Sequence, residues 1–550
     1  MAIPALTPRS QALQALGTRE FDLLVIGGGI TGCGIARDAA LRGLSVALVE
    51  REDFASGTSS RSSRLVHGGV RYLEHGQIHL VFEASAERRR LLRLAPHLVR
   101  PLAFTWPVYA GARVQRWKLA AGLSLYDLLA LFRNVAPHKR LSAADVMRAE
   151  PALLSRGLRG GAKYFDAHTN DARLTLANAI GAAEQGAVLC NHAPAMRLIV
   201  EDGRVRGASV RDAIGGCGAS ISVRARVVVN ACGPWSDEWR PDGVAAATVR
   251  GSKGVHIAVP RSRVGNQQAL TLIAPQDGRV FFVLPSGSEA IIGTTDTYTS
   301  ESPDAVRASA DDVLYLLDAA NAYFPAAHLV EEDVIAAWAG IRPLLPAPGN
   351  TPGAASREHA IAVDPRGLVS ITGGKLTTYR IMARQVVDRA VAVGGLAARR
   401  STTAKLPLPG GDCGDFDDAV ADALGVVQDS ALAEHLVSTY GSGWVSVWAM
   451  IDADDAARAP IVAGHAYRMG ELRQAVRSEF AMTLGDLLIR RLPLAFALAD
   501  HGASLVARVA AFVAPDLGWS AAVQSAAADH FNAELARLFS RGRVSKGQST

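Results

Sequence analysis

The sequence predicts an α/β protein: a parallel sheet with helical crossovers, followed by an α-helical C-terminal domain. Three observations carry this. Residues 21–50 read as strand, glycine turn, helix and strand; short apolar runs recur at 226–230 (RVVVN), 280–284 (VFFVL) and 368–372 (LVSIT); beyond residue 405, strand signals give way to Ala- and Leu-rich periodic stretches such as 471–490. Alternating β and α implies crossover helices over a parallel sheet, and the period of the apolar residues separates strand from helix. The 550 residues are 49% hydrophobic and 20% charged. That length accommodates three or four units of about 100–200 residues, and that composition excludes disorder as the overall state. Cys33, Cys190, Cys217, Cys232 and Cys413 form no CxxC pair. A disulfide framework and a Cys-ligated metal site are thereby disfavoured, no metal is expected, and a reducing compartment is favoured.

Taken in order, residues 1–19 lack an apolar run behind a basic start, so they read as a mobile extension and not as a secretory signal. FDLLVI is a buried strand, GGGITGCG the turn, IARDAALRG a helix ended by Gly43, and LSVALVE the next strand. EDGRVRGASV, within 196–212, is a turn signal between apolar runs and predicts a hairpin. KLPLPGGDCGD marks a boundary near residue 405. The segment 119–132 (LAAGLSLYDLLALF) has 14 residues and contains Asp127. It is too short to cross a bilayer, which takes about 20, but it suits a membrane surface. It lies within 88–140, where 11 Lys/Arg stand against one acid in a chain of net charge +6, so the remainder is slightly acidic. There Trp106, Trp117, Leu123, Leu125, Leu128, Leu129 and Phe132 mingle with Arg113, Arg116, Lys118, Arg133, Lys139 and Arg140. A plain solvated basic face is the alternative; nucleic acid is not expected, because no binding module accompanies the charge.

Gly27, Gly29 and Gly32 stand in G-x-G-x-x-G spacing between strand and helix, and Glu50 ends the next strand. This pattern seats a dinucleotide pyrophosphate at a helix N-terminus and its ribose hydroxyls on the acid. FAD and NAD share it, so other segments must decide. TSSRSSRLVHGGVRY (58–72) brings hydroxyls together with His67, Arg71 and Tyr72, although a solvated loop could hold the same residues. VVNACGPW (228–235) ends a strand at Gly233, where backbone can approach a cofactor or simply turn. GIRP (340–343) and GGKLTTYR (373–380) add Arg342, whose planar fork suits a phosphate, and Lys375 at a second helix start.

Together these texts resemble the FAD-dependent, aerobic, quinone-linked glycerol-3-phosphate dehydrogenase family. The motifs IGGGITGCGIARDAALRGLSV, TSSRSSRLVHGGVRYLEHG, DARLTLANA, VVNACGPW, KGVHI, IIGTTD, GIRPLL and GGKLTTYR occur in the family's order over about residues 20–405. The resemblance implies a Rossmann-like FAD-binding domain interleaved with a mixed-sheet substrate or cap domain (20–404, cap parts roughly 75–165 and 245–345), plus the helical domain 405–550. It also implies oxidation of sn-glycerol 3-phosphate to dihydroxyacetone phosphate by hydride transfer from C2 to FAD N5, with electrons passed to membrane quinone. Cofactor positions carried over are Gly27, Gly29, Gly32, Glu50, Thr58, Ser59, Ser60, Ser63, Gly233, Gly374, Lys375, Leu376 and Thr377. Substrate positions are Arg71, Tyr72, Lys253, His256, Arg342 and Lys375. Val255 stands where some relatives have serine, which leaves Lys253 and His256 the weakest of these assignments. For catalysis, Arg71, Arg342 and Lys375 are expected to clamp the phosphate. His67, whose residue type titrates near neutrality, is expected to act as base, with His256 next in line. An oxygen-using glycerol-3-phosphate oxidase and a non-catalytic FAD-binding module are the alternatives. The resemblance allows a homodimer, and it implies a cytoplasmic enzyme held peripherally on the inner face of the membrane by the basic, apolar segment.

Overall fold

The computed structural model describes residues 6–70, 77–131, 134–214, 220–241, 248–346 and 358–540. Glu20–Ile26 (EFDLLVI) is buried throughout its last four residues, as expected of a strand covered on both faces. It pairs in parallel with Ser220–Asn230 on one side and Val46–Val49 on the other. Val369–Gly373 and Val188–Cys190 extend the sheet outward, also in parallel, and His359–Val363 closes one edge antiparallel. Helix Ile30–Leu41 crosses between the first two strands and packs on helices Asp171–Ala183 and Tyr379–Gly394. Met382, Val386 and Ala390, at helical spacing, enter this core beside Leu23, Leu48 and Val229.

The predicted hairpin is Ala195–Glu201 with Arg204–Arg211. Its turn residues Asp202 and Gly203 have φ of +48° and +71°, the backbone that a two-residue Asp-Gly turn requires. The expectation of a mobile N-terminus is corrected: Arg9–Thr18 is a helix whose Ala12 and Leu16 pack on the far face of the sheet with Leu24 and Val228. Arg9 pins it, donating to Asn191 O at 2.7 Å and Asp212 Oδ1 at 2.6 Å.

A second, mixed sheet is built from residues 65–66, 99–109, 139–141, 158–169 and five strands between 250 and 298, together with 336–344. The chain therefore alternates between sheets, which is the interleaving the fold class predicted. Phe104, Tyr164 and Trp338 of this sheet share one apolar core with Leu472, Leu487, Val509 and Phe531 of the C-terminal helices. The periodic stretch 471–490 is broken. Helix Met469–Ser478 stops, Phe480 adopts φ +60°, and a π-helical turn Asp486–Arg491 follows. The Asp486 carboxylate accepts the backbone N–H groups of Met482 and Thr483, a side-chain bond that competes with helix continuation.

Helix Arg116–Leu129 covers the second sheet with Leu119, Leu123 and Tyr126, while Trp117 (65% exposed), Leu125, Leu128 (53%) and then Leu131 face outward. Two residues expected on the apolar surface are thus corrected: Leu123 faces inward on this helix, and Trp106 is buried in strand Val99–Tyr109. Phe132 and Arg133 lie outside the described residues. Among the described residues, no helix is long and apolar enough to cross a membrane.

Candidate active site

The carboxyl ends of the first sheet's strands open into a cleft of about 340 Å³. At its nucleotide end, Gly27 has φ +109°, and a Cβ there would lie 2.7 Å from Ala231 O. A Cβ on Gly32 would lie 1.9 Å from Gly27 O. Helix Ile30–Leu41 starts at Gly29, which offers no side-chain cap; the N–H of Ile30 donates to Ser59 Oγ at 2.9 Å, and the positive end of the helix suits an anion. Glu50 is fixed by two backbone donors, Gly28 N–H at 2.5 Å and Glu52 N–H at 2.9 Å. Burial raises its pKa, and those two bonds work against the shift. Gly27, Gly29, Glu50, Thr58, Ser59, Ser63, Gly233, Gly374, Lys375, Leu376 and Thr377 line the cleft. Gly32 and Ser60 do not: Gly32 lets helix and turn touch, and Ser60 is buried with its hydroxyl 3.5 Å from Gly57 O. The Thr58 hydroxyl donates to Ile341 O at 2.7 Å, tying the loop to the second sheet.

At the other end, His256 on strand Arg250–Pro260 is buried, with Nε2 hydrogen-bonded to Ser63 Oγ at 2.8 Å and the ring stacked on Trp338. Burial, followed by the charges of Arg342 and Arg64, pushes its pKa down to about 3, so the imidazole is neutral. Arg342 lies over Gly254, where a Cβ would come within 2.4 Å of the guanidinium. It donates to Thr294 Oγ1 at 2.9 Å and Asp296 Oδ1 at 3.2 Å. Lys375 starts the turn Leu376–Thr378 that feeds helix Tyr379–Gly394. His67 lines the cleft, and its backbone is strapped to the Thr377 hydroxyl, N–H to Oγ1 at 3.1 Å and Oγ1 to O at 3.2 Å.

Lys253 does not line the cleft. Alternation along the strand sends Gly254 and His256 to one face and Lys253 and Val255 to the other, where Lys253 Nζ meets Asp312 at 2.9 Å and Glu301 at 3.8 Å. Arg71 and Tyr72 lie outside the described residues. Several cleft residues escaped the motif reading. Arg61, inside the quoted TSSRSSR text, is half-buried in the cleft, and desolvation followed by the charge of Arg537 pushes its pKa down to about 10. Arg51 stacks on Trp235 and pairs with Asp304 at 2.6 Å. Arg537, from helix Ala521–Phe539, reaches the same cleft. Among the described residues, Arg51, Arg61, Arg342, Lys375 and Arg537 line it against Glu50, Glu52 and Glu238. That positive surplus suits a ligand carrying phosphates, and a glycine cradle under a helix start suits a pyrophosphate.

Comparison with known proteins agrees with this chemistry. Residues 22–387 match the family described as FAD dependent oxidoreductase, and residues 401–524 match the C-terminal domain of alpha-glycerophosphate oxidase. Glycerol-3-phosphate dehydrogenase 2 of Mycobacterium tuberculosis is 41% identical over 523 residues, covering 94% of this chain and 88% of that protein. The aerobic glycerol-3-phosphate dehydrogenase of Staphylococcus saprophyticus is 38% identical over 448 residues, 79% of this chain and 80% of the relative. The solved glycerol-3-phosphate dehydrogenase of Bacillus halodurans, complexed with FAD, superposes with a TM-score of 0.79 at 31% identity, covering 96% of this chain and 97% of that one.

Proposed function

Because the chain belongs to the FAD-dependent glycerol-3-phosphate dehydrogenase family, we propose that it oxidises sn-glycerol 3-phosphate to dihydroxyacetone phosphate and passes the electrons to membrane quinone. FAD is its cofactor, and when bound it supplies the acceptor for the hydride that leaves C2. The observation that carries the reading is the presence, in one cleft, of a glycine cradle at Gly27–Gly32 together with the cations Arg342 and Lys375.

The chain's own groups divide the work. Gly27, Gly29 and the start of helix Ile30–Leu41 hold the pyrophosphate, with Gly32 allowing the helix its close approach. Glu50 takes the ribose hydroxyls. Thr58, Ser59, Ser63, Gly233, Gly374, Leu376 and Thr377 surround the rest of the cofactor, and Ser60 braces their loop. Arg342, Lys375, Arg71 and Tyr72 hold the substrate dianion, because charge-assisted hydrogen bonds fix a phosphate and thereby align C2. Arg342 is held in place for this by Thr294 and Asp296. The C2 hydroxyl proton goes to a base, which we assign to His67. His256 is the second reading, favoured by its neutral ring beside Arg342 and by an Nδ1 with no hydrogen-bond partner among the described residues.

Quinone as acceptor is supported by the outward face of helix Arg116–Leu129. Trp117, Leu125 and Leu128 stand exposed beside Arg113, Arg116, Lys118, Lys139 and Arg140, each cation worth about 1 kcal/mol against an anionic surface. Such docking would set the enzyme on the inner face of the membrane. Anaerobic titration with glycerol 3-phosphate should bleach the flavin absorbance; an unchanged spectrum would defeat the proposal. Reoxidation by a quinone analogue should outpace peroxide formation in air, and the reverse order would make the enzyme an oxidase.

A further inference from the structure

Three consecutive residues after the ribose acid are each held by the C-terminal region. Glu52 accepts both terminal nitrogens of Arg537, Nη1 at 2.9 Å and Nη2 at 3.2 Å. Asp53 is fully buried and accepts from Arg490 Nε at 2.7 Å, Arg491 Nη1 at 2.5 Å and Arg491 Nη2 at 3.0 Å. Phe54 packs edge-on against Phe480, their centroids 5.2 Å apart. Helix Ala521–Phe539 is bolted into the same network one turn before Arg537, where Glu534 takes Arg490 Nη1 at 2.8 Å. Burial works against the Glu52 charge, yet the hydrogen bonds and charge of Arg537, with Arg490 and Arg51 behind, hold its pKa below the usual carboxylate range.

The path from this latch to the cofactor groove is one hydrogen bond long. Glu52 N–H donates to Glu50 Oε1 while Gly28 N–H holds Oε2, so the position of the Glu52 backbone fixes the rotamer of the carboxylate that faces the ribose. Ala55 N–H, just beyond the latched triplet, donates to Gly28 O at 3.0 Å inside the glycine cradle.

We infer that Arg537 is a positioning residue for FAD, acting through Glu52, so that the C-terminal helix closes the adenosine end of the cofactor groove. The inference rests on the assignment of Glu50 to the FAD ribose. It differs from a direct electrostatic role in the sign of one substitution. If Arg537 merely attracted the anionic cofactor, removing the Glu52 carboxylate would tighten FAD. If the pair is a latch, losing either partner loosens it, and losing both costs no more than losing one.

The test is the dissociation constant of FAD for the full-length apoprotein, read from flavin fluorescence, for wild type, Glu52→Gln, Arg537→Gln and the double variant. All three variants should bind FAD about fivefold more weakly, the range of a half-exposed bidentate pair, with the double variant no worse than the singles. The KM for glycerol 3-phosphate at saturating FAD should stay at the wild-type value. Arg477→Gln, which breaks the surface pair with Asp516, should leave FAD affinity unchanged. Unaltered affinity in Arg537→Gln, tighter binding in Glu52→Gln, or additive losses in the double variant would each overturn the inference. So would a loss matched by Arg477→Gln. Failure of wild-type protein to bind FAD would instead overturn the cofactor assignment on which it rests.

Discussion

Arg342 is the residue on which the proposed chemistry leans hardest. Its guanidinium already spends bonds on Thr294 and Asp296, which leaves it pre-aimed and costs little further ordering when a phosphate arrives. Arg342→Met should lower kcat/KM at least about 100-fold, the scale of a lost charge-assisted bidentate contact, while the purified protein keeps its flavin spectrum. Full activity would remove Arg342 from the clamp. The two histidines are separated by pre-steady-state flavin reduction at saturating substrate. His67→Ala should slow it by about 100-fold or more if His67 is the base. A near wild-type rate in His67→Ala with a slow one in His256→Gln moves the role to His256. Gly32 makes a sharper structural case. A methyl 1.9 Å from the Gly27 carbonyl oxygen cannot be accommodated without moving backbone, so Gly32→Ala should purify largely free of FAD, checked by the ratio of flavin to protein absorbance.

At the scale of elements, helix Arg116–Leu129 has two apolar faces where a surface helix needs one. The inner face is spent on the core through Leu119, Leu123 and Tyr126, and the outer one presents Trp117 and Leu128 to solvent. An exposed apolar strip rimmed by cations marks a contact surface. The protein should therefore sediment with vesicles of anionic lipid at low salt and release as salt screens the attraction. Arg116→Glu with Lys118→Glu should shift most of it to the supernatant, and absence from the pellet at low salt would rule out the docking. Elements of this kind show how far the residues alone can be read. The glycine turn, the Asp202–Gly203 hairpin and the helix carrying Met382, Val386 and Ala390 are local in sequence, so spacing reveals them. Ser63 beside His256, Arg342 beside Asp296, and above all Arg537 beside Glu52 meet only once the two sheets and the helical region have packed. No local pattern encodes a contact between residues 485 positions apart. Helix Arg9–Thr18 is not legible in the sequence for a related reason: only Ala12 and Leu16 of it are buried, too few to make a periodic signal.

For the whole molecule, buried histidines predict sensitivity to acid. His97 and His256 are pushed down to about 3, in each case chiefly by burial. Above the ordinary value near 6.5 these rings are neutral whether the chain is folded or not, and they cost nothing. As pH falls below 6.5 the unfolded chain binds protons that the folded one refuses, so each ring removes about 1.4 kcal/mol of stability per pH unit down to its folded pKa. His192 opposes this. Burial lowers its pKa, but Asp486 overcomes that and raises it, a gain kept below 6.5 and lost as pH climbs through the raised value. With two rings against one, the melting temperature should fall between pH 6.5 and 4.5, and His97→Gln should flatten that slope; a melting temperature constant over the range would contradict the burial argument. The ion pairs that reach Glu52 and Asp53 from residues 490–537 carry a consequence in time. Two of the strands that frame the groove come from residues 20–49, but its adenosine end is braced by Arg490, Arg491 and Arg537. During synthesis the early strands must wait for that brace, so a chain stopped before residue 490 would hold FAD loosely, and firm cofactor loading becomes a late event in folding.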